Sequence, residues 1–487
     1  MSGAAQRLRH GALAVAVGML AACAAVGPDY RVPNQAVIKR DSAGAAFDLA
    51  ANPKTVVAPL PADWWKLYDD PLLDQLVGQA LQQNTDVRLA YHNLRQAFES
   101  YQMAHHAQEV EIDGEASAAR GQLSSEALAL HEKLPVMNLA DVGLAVSYQL
   151  DLFGKLRRAA ESAAATAEAG QAALDAARIT VVAQVVRSYM NACHASHELA
   201  IAADSLDIQT RQFEVARRLL EGGRGTQVDV SRASAQVEAL RAELPPLETK
   251  KAAALYRLAA LLGRTPGELP TAVAACSQAP QPGQPIPVGD GAALLKRRPD
   301  VRAAERQLAA ATADIGVATA MMYPEISLGG DAGFTGMLEH IGDPITRRWT
   351  FGPRIAWHIP TRVDRARVRA MQAGADAALA RFDGVVLEAL RETQTLLARY
   401  ANDLQRNQAL RDSRDAARDA ARYNRRLYQE GRLDYLASLD SERTLAATET
   451  ALARSDAELS EDQVALFLAL GGGWQSSEPG PAPAVSH

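Results

Sequence analysis

Between Asp141 and Leu152 the chain alternates without a slip. Val142, Leu144, Val146, Tyr148, Leu150 and Leu152 are apolar or aromatic, and Asp141, Gly143, Ala145, Ser147, Gln149 and Asp151 between them are small or polar. A period of two predicts a strand with one fatty face and one wet face. Globular strands average about 5–6 residues, whereas a tilted strand that crosses a bilayer needs about 9–11, and this run has the second length. The spanning strands are expected at about 111–121, 140–152, 324–335 and 350–360; in the last, Phe351, Pro353, Ile355, Trp357 and Ile359 alternate with Gly352, Arg354, Ala356 and His358. The remaining pattern is helical. From Phe153 to Gly222 no proline interrupts an alanine-rich run, which at about 1.5 Å per residue makes a helix of roughly 100 Å. A return helix is expected over Val228–Leu262, with Pro245-Pro246 marking a kink or break. Ala366–Glu430 and Tyr435–Leu470 repeat the pattern without prolines.

The chain repeats itself. TDVRLAYHNL (85–94) matches PDVRAAERQL (299–308), the strand at 141 is answered by the strand at 350, and ARRLLEGGR (216–224) matches NRRLYQEGR (424–432). Each half therefore reads helix, strand, long loop, strand, very long helix, glycine-containing turn, long helix. The predicted segments are a signal peptide (1–22), an N-terminal extension (23–80), a first repeat (81–262), a Pro/Gly-rich irregular connector (263–290), a second repeat (291–470) and a disordered tail (471–487). Trp64 and Trp65 read either as interfacial anchors or as packing on the helical body.

Composition adds the compartment. Hydrophobic residues make up 48% of the 487 and aromatics only 5%, much of the balance being alanine, which suits long, closely packed helices. A net charge of −6 without a basic, aromatic-rich block argues against nucleic acid as a partner. Arg7 and Arg9, then GALAVAVGML, then Leu20-Ala21-Ala22-Cys23 form an export signal too short to span a membrane. The L-A-A-C box resembles a lipobox, which implies cleavage before Cys23 and its acylation; Ala24 in place of aspartate implies delivery to the outer membrane. Cys193 and Cys276 are far apart without ligand spacing. A disulfide is chemically possible in the periplasm, but two singly packed residues are the expectation.

Four strands cannot close a barrel, and strands in hydrocarbon must satisfy every backbone group, so copies of the chain must share one. The wet faces, with Asp141, Ser147, Gln149 and Arg354, would then line an aqueous bore, and Val142, Leu144 and Trp357 would face lipid. No catalytic or metal constellation emerges. His105-His106, His194 and His197 lack acidic or cysteine partners and read as surface histidines; GGDAGFTG lies in a strand and opens no helix; RDSRDAARDAARYNRR reads as a solvated helix face.

The motifs VGPDYRVP, DWWKLYDDPLLDQLV, SYQLDLFGKLRRA, LAALLGRTPGEL, LLKRRPDVRAAERQLAAATADIGVATAMMYPEISL, LYQEGRLDYLASLDSERTL and LGGGW, in this order, resemble the outer membrane factor (TolC-like) family, in its lipoprotein branch of NodT- and OprM-type efflux channels. The resemblance implies mixed α and transmembrane β architecture: a homotrimer sharing a 12-stranded β-barrel in the outer membrane lipid and a 12-helix periplasmic tunnel. It also implies an inner-membrane pump and a periplasmic adaptor as partners, no enzyme activity and no cofactor beyond lipid on Cys23. The expected role is a passive duct for small toxic compounds or drugs; a protein-secretion duct and a structural coiled-coil lipoprotein are the alternatives. Asp229 and Tyr428 match the aspartate and tyrosine of a periplasmic gate lock, and Asp440 matches a constriction-ring aspartate. Leu433 takes the lock arginine's place, with Arg432 one residue earlier, and Ala437 stands where some relatives have a second ring aspartate. The hairpin tips expected to meet the adaptor are Gly222-Gly223-Arg224 and Gly431-Arg432. HIPTRVDRARV lacks the aromatic and glycines usual in the family's strand-to-helix turn, and Val110 replaces a proline before the first strand.

Overall fold

The computed structural model describes residues 25–47, 54–126, 129, 131–430 and 432–472. The signal peptide, Cys23, Gly431 and the tail beyond residue 472 lie outside these. In order the elements are β1 (Thr55–Val56), α1 (Pro71–Gln83), α2 (Thr85–His106), β2 (Glu111–Gly121), β3 (Met137–Leu150), α3 (Lys155–Glu221), α4 (Gln227–Leu261), α5 (Thr271–Ala274), β4 (Ile286–Pro287), α6 (Gly291–Arg297), α7 (Pro299–Ala320), β5 (Glu325–Met337), β6 (Arg347–Ala356), α8 (Arg362–Gln429) and α9 (Tyr435–Ala469), with short 3₁₀ turns between. The chain divides into two compact units.

One unit takes residues up to Asn34, Asn93–Gly170 and Ala303–Phe382. Its centre is a four-stranded antiparallel sheet in the order β2-β3-β5-β6, so the hairpins of the two repeats lie side by side, joined where β3 pairs with β5. Residues 25–34 form a strap on this unit. The Val26 N–H donates to the Phe153 carbonyl at 3.0 Å, and the nearly buried Arg158 guanidinium reaches the Val26 carbonyl (3.3 Å), Asp29 (2.7 Å) and Glu161 (2.7 Å). Gly27, at φ +92°, lies against Gly316 so closely that a Cβ on it would come within 2.5 Å of the Gly316 Cα. Further along, the Tyr30 hydroxyl donates to Glu305 at 2.6 Å beneath the Arg306 guanidinium.

The other unit takes Gln35–His92, Gln171–Arg302 and the chain from Asp383 onward. Trp64 is fully buried and stacks on Phe467 at 4.4 Å, so it is a core residue and no interfacial anchor. Asp70 caps α1 and accepts the Tyr189 hydroxyl at 2.8 Å. Asn84 caps α2 through its oxygen and, through its amide, donates to the Leu261 carbonyl at the end of α4 (3.0 Å). Each tie settles an orphan group of a helix end, which is what polar residues at such ends are for.

Four expectations are corrected. Cys193 and Cys276 are joined in a disulfide, Cα to Cα 5.0 Å, which fastens the connector to α3; folding brings together what sequence separation kept apart. The connector is not wholly irregular, since it forms α5 and, through β4, pairs in parallel with β1. Of the kink or break allowed for at Pro245-Pro246, the break does not occur, since α4 continues as helix through both; both are exposed, so water reaches the carbonyls whose donors they lack. Gly471 and Gly472, which the expected tail included, have defined places: Gly472 packs against Leu60 and Trp64 with no room for a Cβ.

Candidate functional site: the sheet faces and the hairpin tips

Register places Asp141 of β3 opposite Ser117 of β2 and Thr335 of β5, and Gly333 of β5 opposite Arg348 of β6. One face of the sheet therefore carries Glu111, Asp113, Glu115, Asp141, Ser147, Gln149, Asp331, Thr335, Arg348, Thr350 and Arg354. Arg348 crosses strands on it, donating to Asp141 at 2.8 Å and to the Thr335 hydroxyl at 2.7 Å, and pairing with Asp331, which also accepts from Thr350. Glycines open the trench in which this arginine lies, for a Cβ on Gly143 would stand 2.9 Å from its Nη2. Arg348 escaped the sequence reading because the fourth strand begins at Arg347, three residues before the expected start.

The opposite face is apolar and open. Leu144 is 61% exposed, Trp349 77%, Phe351 74%, and Ile112, Val142, Val146 and Ile355 accompany them. Such a face, across four strands of 10–14 residues, suits hydrocarbon and not water. Among the described residues no helix is long and apolar enough to cross a membrane.

At the far ends of the long helices the two turns are built alike. The Arg224 N–H donates to the Leu219 carbonyl and the Arg432 N–H to the Leu427 carbonyl, both at 2.8 Å. Gly223 sits at φ +68°, where a side chain would be strained. Thr226 then caps α4, accepting from the Asp229 N–H at 3.2 Å, and Asp434 caps α9, accepting from the Ala437 N–H at 2.8 Å. Gly222, Gly223 and Arg224 are exposed at the first tip, and Arg432 is exposed at the second.

The expected gate residues gather at this end but do not bond one another. The Asp229 carboxylate accepts the Thr226 hydroxyl at 2.6 Å. Tyr428 packs its ring 5.7 Å from that of Tyr435, and burial together with Tyr435 and Asp229 holds its hydroxyl's pKa above the ordinary value. Arg432 pairs with Glu430 at 3.5 Å, and Asp440 is exposed. Sequence reasoning missed the bonds that do cross between the hairpins here: Gln209 Nε2 to the Tyr435 hydroxyl (3.2 Å) and Arg443 Nε to Gln236 Oε1 (2.8 Å). Tyr435 lies seven residues after Tyr428 in the quoted motif, which was the available signal. Among the described residues no group of three or more His, Cys, Asp or Glu is placed to hold a metal. His194 is no surface histidine: it is buried, 2.9 Å from the Ser460 hydroxyl.

The profile of the outer membrane efflux protein family matches residues 76–264 and 292–472, one stretch per repeat. The chain belongs to that family. It is 28% identical to Nodulation protein T of Rhizobium leguminosarum bv. trifolii over 459 residues, covering 94% of this chain and 96% of that protein. It is 30% identical to Outer membrane protein OprJ of Pseudomonas aeruginosa over 477 residues, 95% and 96% of the two. The solved outer-membrane channel OprN superposes with a TM-score of 0.84 at 37% identity, covering 93% of this chain and all of that one. This member of the outer membrane efflux family is a channel of the outer membrane, its strands in the bilayer and its long helices in the periplasm, serving as the exit duct of an efflux system.

Proposed function

We propose that three copies share a 12-stranded barrel and a 12-helix tunnel, and that the trimer passes small toxic compounds or drugs from an inner-membrane pump and a periplasmic adaptor to the exterior. The observation that carries this is the pair of unfilled edges of the sheet: β2 and β6 pair on one side each. They run in opposite directions, so β6 of one copy meets β2 of the next in the same antiparallel sense, and the ring closes with every backbone group satisfied. Two copies would give about eight strands, whose interior side chains fill; a duct needs the wider ring. The duct performs no chemistry of its own.

Acylation of Cys23 belongs to the same reading. Ala25, two residues on, lies against Gly154, at the junction of β3 with α3, where the strands leave the membrane. At the inner end Asp229, Tyr428, Arg432 and Asp440 would form the gate, with Asp440 from three copies favouring cations, and the tips Gly222-Gly223-Arg224 and Gly431-Arg432 would meet the adaptor. The test is electrophoresis without heating, followed by planar-bilayer recording of the purified protein. The reading expects heat-modifiable trimers that conduct ions; a monomer that carries no current would end it. Mass spectrometry of the mature N-terminus, with Cys23→Ser as control, checks the lipid.

A further inference from the structure

The two β-hairpins share one register. Continuing the match of 85–94 with 299–308 sets Glu111 on Glu325, and the match of 141 with 350 sets Gly143 on Gly352. These matches carry the β2–β3 pairs from Glu111 to Arg120 onto the β5–β6 pairs: Glu111↔Ser147 falls on Glu325↔Ala356, and Glu115↔Gly143 on Gly329↔Gly352. Within the copy, β3 and β5 join the first hairpin to the second. The free edges β6 and β2 stand in the same relation between one copy and the next. Transferring the β3–β5 register by the same matches puts His358 opposite Asp113 of the next copy, as Gln149 is opposite Ser327, and Arg354 opposite Ser117, as Ala145 is opposite Asp331. Wet face then meets wet face along the whole seam, which a slip of one residue would destroy.

The charges on the two edges are complementary. Glu111, Asp113 and Glu115 line the wet face of the β2 edge, all exposed, and among the described residues none of them has a side-chain partner. At the β6 edge Arg354 is exposed and likewise unpaired among the described residues, and the exposed His358 lies 3.7 Å from Asp364. Strand β6 also ends at Ala356, whereas β3 runs on to Leu150, the counterpart of Ile359, because β5 lies along its last three residues. Trp357, His358 and Ile359 continue the alternation but have no strand beside them in their own copy.

We propose that each seam between copies is clamped on its bore side by two charge-matched contacts, Arg354 to Glu115 and His358 to Asp113 of the next copy, with β6 extended through Ile359. The proposal rests on the shared-barrel reading above and deepens it by fixing the register. Asp113 of the next copy stands directly across from His358, at the roughly 4.5–5.5 Å Cβ spacing of facing residues, and Glu115 lies on the diagonal from Arg354, which a long side chain spans. Arg348 already makes such a reach within the copy: it sits opposite Gly333 and pairs with Asp331, two residues along. On the outer face the same register lays Trp357 over Gly114 of the next copy, where no side chain is in its way.

The test has two arms on the full-length protein in detergent, both read by electrophoresis. In the first, the double variant Asp113→Cys with His358→Cys is treated with a short bifunctional thiol reagent, and linked copies that survive boiling are expected. Ser117→Cys with His358→Cys, about 13 Å out of register, should stay unlinked. In the second arm, Arg354→Glu and Glu115→Arg should each lower the temperature at which the trimer dissociates, and the two together should restore it to near the wild-type value. A residue that matters only for its own fold gives no such rescue. Linking of the Ser117 pair in place of the Asp113 pair overturns the register. No shift in either single reversal, or a double variant that merely sums two losses, overturns the clamp. If the wild type runs as a heat-modifiable trimer and neither cysteine pair links, the seam is wrong and the shared barrel stands. If the wild type is a monomer, the barrel reading itself falls and takes the seam with it.

Discussion

The α3–α4 and α8–α9 hairpins turn on matching backbone bonds, yet they are fastened along their lengths by different chemistry. Between α8 and α9 five ion pairs form a ladder: Arg399–Asp462, Arg406–Glu458, Arg411–Asp456, Arg418–Glu449 and Arg425–Glu442. All five arginines fall in heptad series, 399 with 406 and 411 with 418 and 425, so each series recurs along its own stripe of α8. Between α3 and α4 the recorded ion pair is Lys250–Glu198, near the two prolines. The first hairpin is instead secured through α3, by the disulfide to the connector and by His194 to Ser460 on α9. A duplicated element can thus keep its turn while its fastenings diverge, because turn geometry is fixed by local backbone needs and fastenings only by what packs alongside.

The disulfide offers the largest handle. It closes a separation of 83 residues, and removing such a link typically costs about 2–4 kcal/mol. Cys193→Ser with Cys276→Ser should lower the thermal midpoint of the detergent-solubilised protein by several degrees and open residues 277–285 of the connector to protease, leaving the α8–α9 hairpin resistant. If both hairpins become cleavable together, the contrast between them is wrong.

Next comes the innermost rung. Glu442 is 8% exposed and takes two bonds from Arg425, at 2.7 and 2.9 Å. Arg425→Ala would leave that carboxylate uncompensated, at a cost of about 2 kcal/mol, between the range for surface pairs and that for fully buried ones. The same measurement on Lys250→Ala, which strips an equally buried carboxylate, Glu198 at 8%, of two bonds at 2.7 and 2.9 Å, should give a similar loss, and a clearly smaller one would mean that burial of the acid does not set the cost.

Two buried titratable groups give the hairpins opposite pH responses. His194 on the first is held neutral by burial, its pKa pushed down to about 4 from 6.5, so its contribution is complete above about pH 6.5 and is lost as pH falls toward 4. Asp462 on the second is pushed up to about 7 from 3.8 by burial and the adjacent Asp403, against the pull of Arg399. Its fold prefers the protonated form, so stability falls as pH rises from about 3.8 to 7. In wild type the two trends offset each other between pH 4 and 6.5. His194→Gln should leave stability falling across that window and Asp462→Asn should leave it rising, each by up to about 3 kcal/mol at about 1.4 kcal/mol per unit. Parallel pH curves for the two variants would refute the assignment.

The strands and helices were legible because their signals are local and doubled. The second copy of a segment confirms the first, and Glu111–Gly121 emerged within the bounds that alternation and repeat matching set. The fourth strand began early because Arg347 and Arg348 read as loop, though a lumen-facing arginine breaks no rule of a wet face. Partnerships between distant helices were not legible. RDSRDAARDAARYNRR reads as a solvated face, and only the register of α8 against α9 shows that Arg418 and Arg425 are answered by Glu449 and Glu442. The disulfide, the buried His194 and the bonds from Gln209 and Gln236 escaped for the same reason: each is created by which helix lies next to which. Of the gate residues, spacing located the right end of the molecule but could not say which groups are already engaged, as Asp229 is by Thr226.

The smallest expected effect guards against over-reading the ladder. Arg406 and Glu458 are 53% and 42% exposed, so water screens their attraction, and ordering two long side chains consumes part of what remains. Exposed pairs of this kind contribute about 0.2–1 kcal/mol. Arg406→Ala should therefore shift the thermal midpoint by a degree or so at low salt and by less at high salt, whereas the loss from Arg425→Ala should persist, because Glu442 is shielded from the ions that do the screening. Equal salt sensitivity of the two variants would mean that the hairpin is held by a diffuse charge pattern, and the rung-by-rung account would have to be given up.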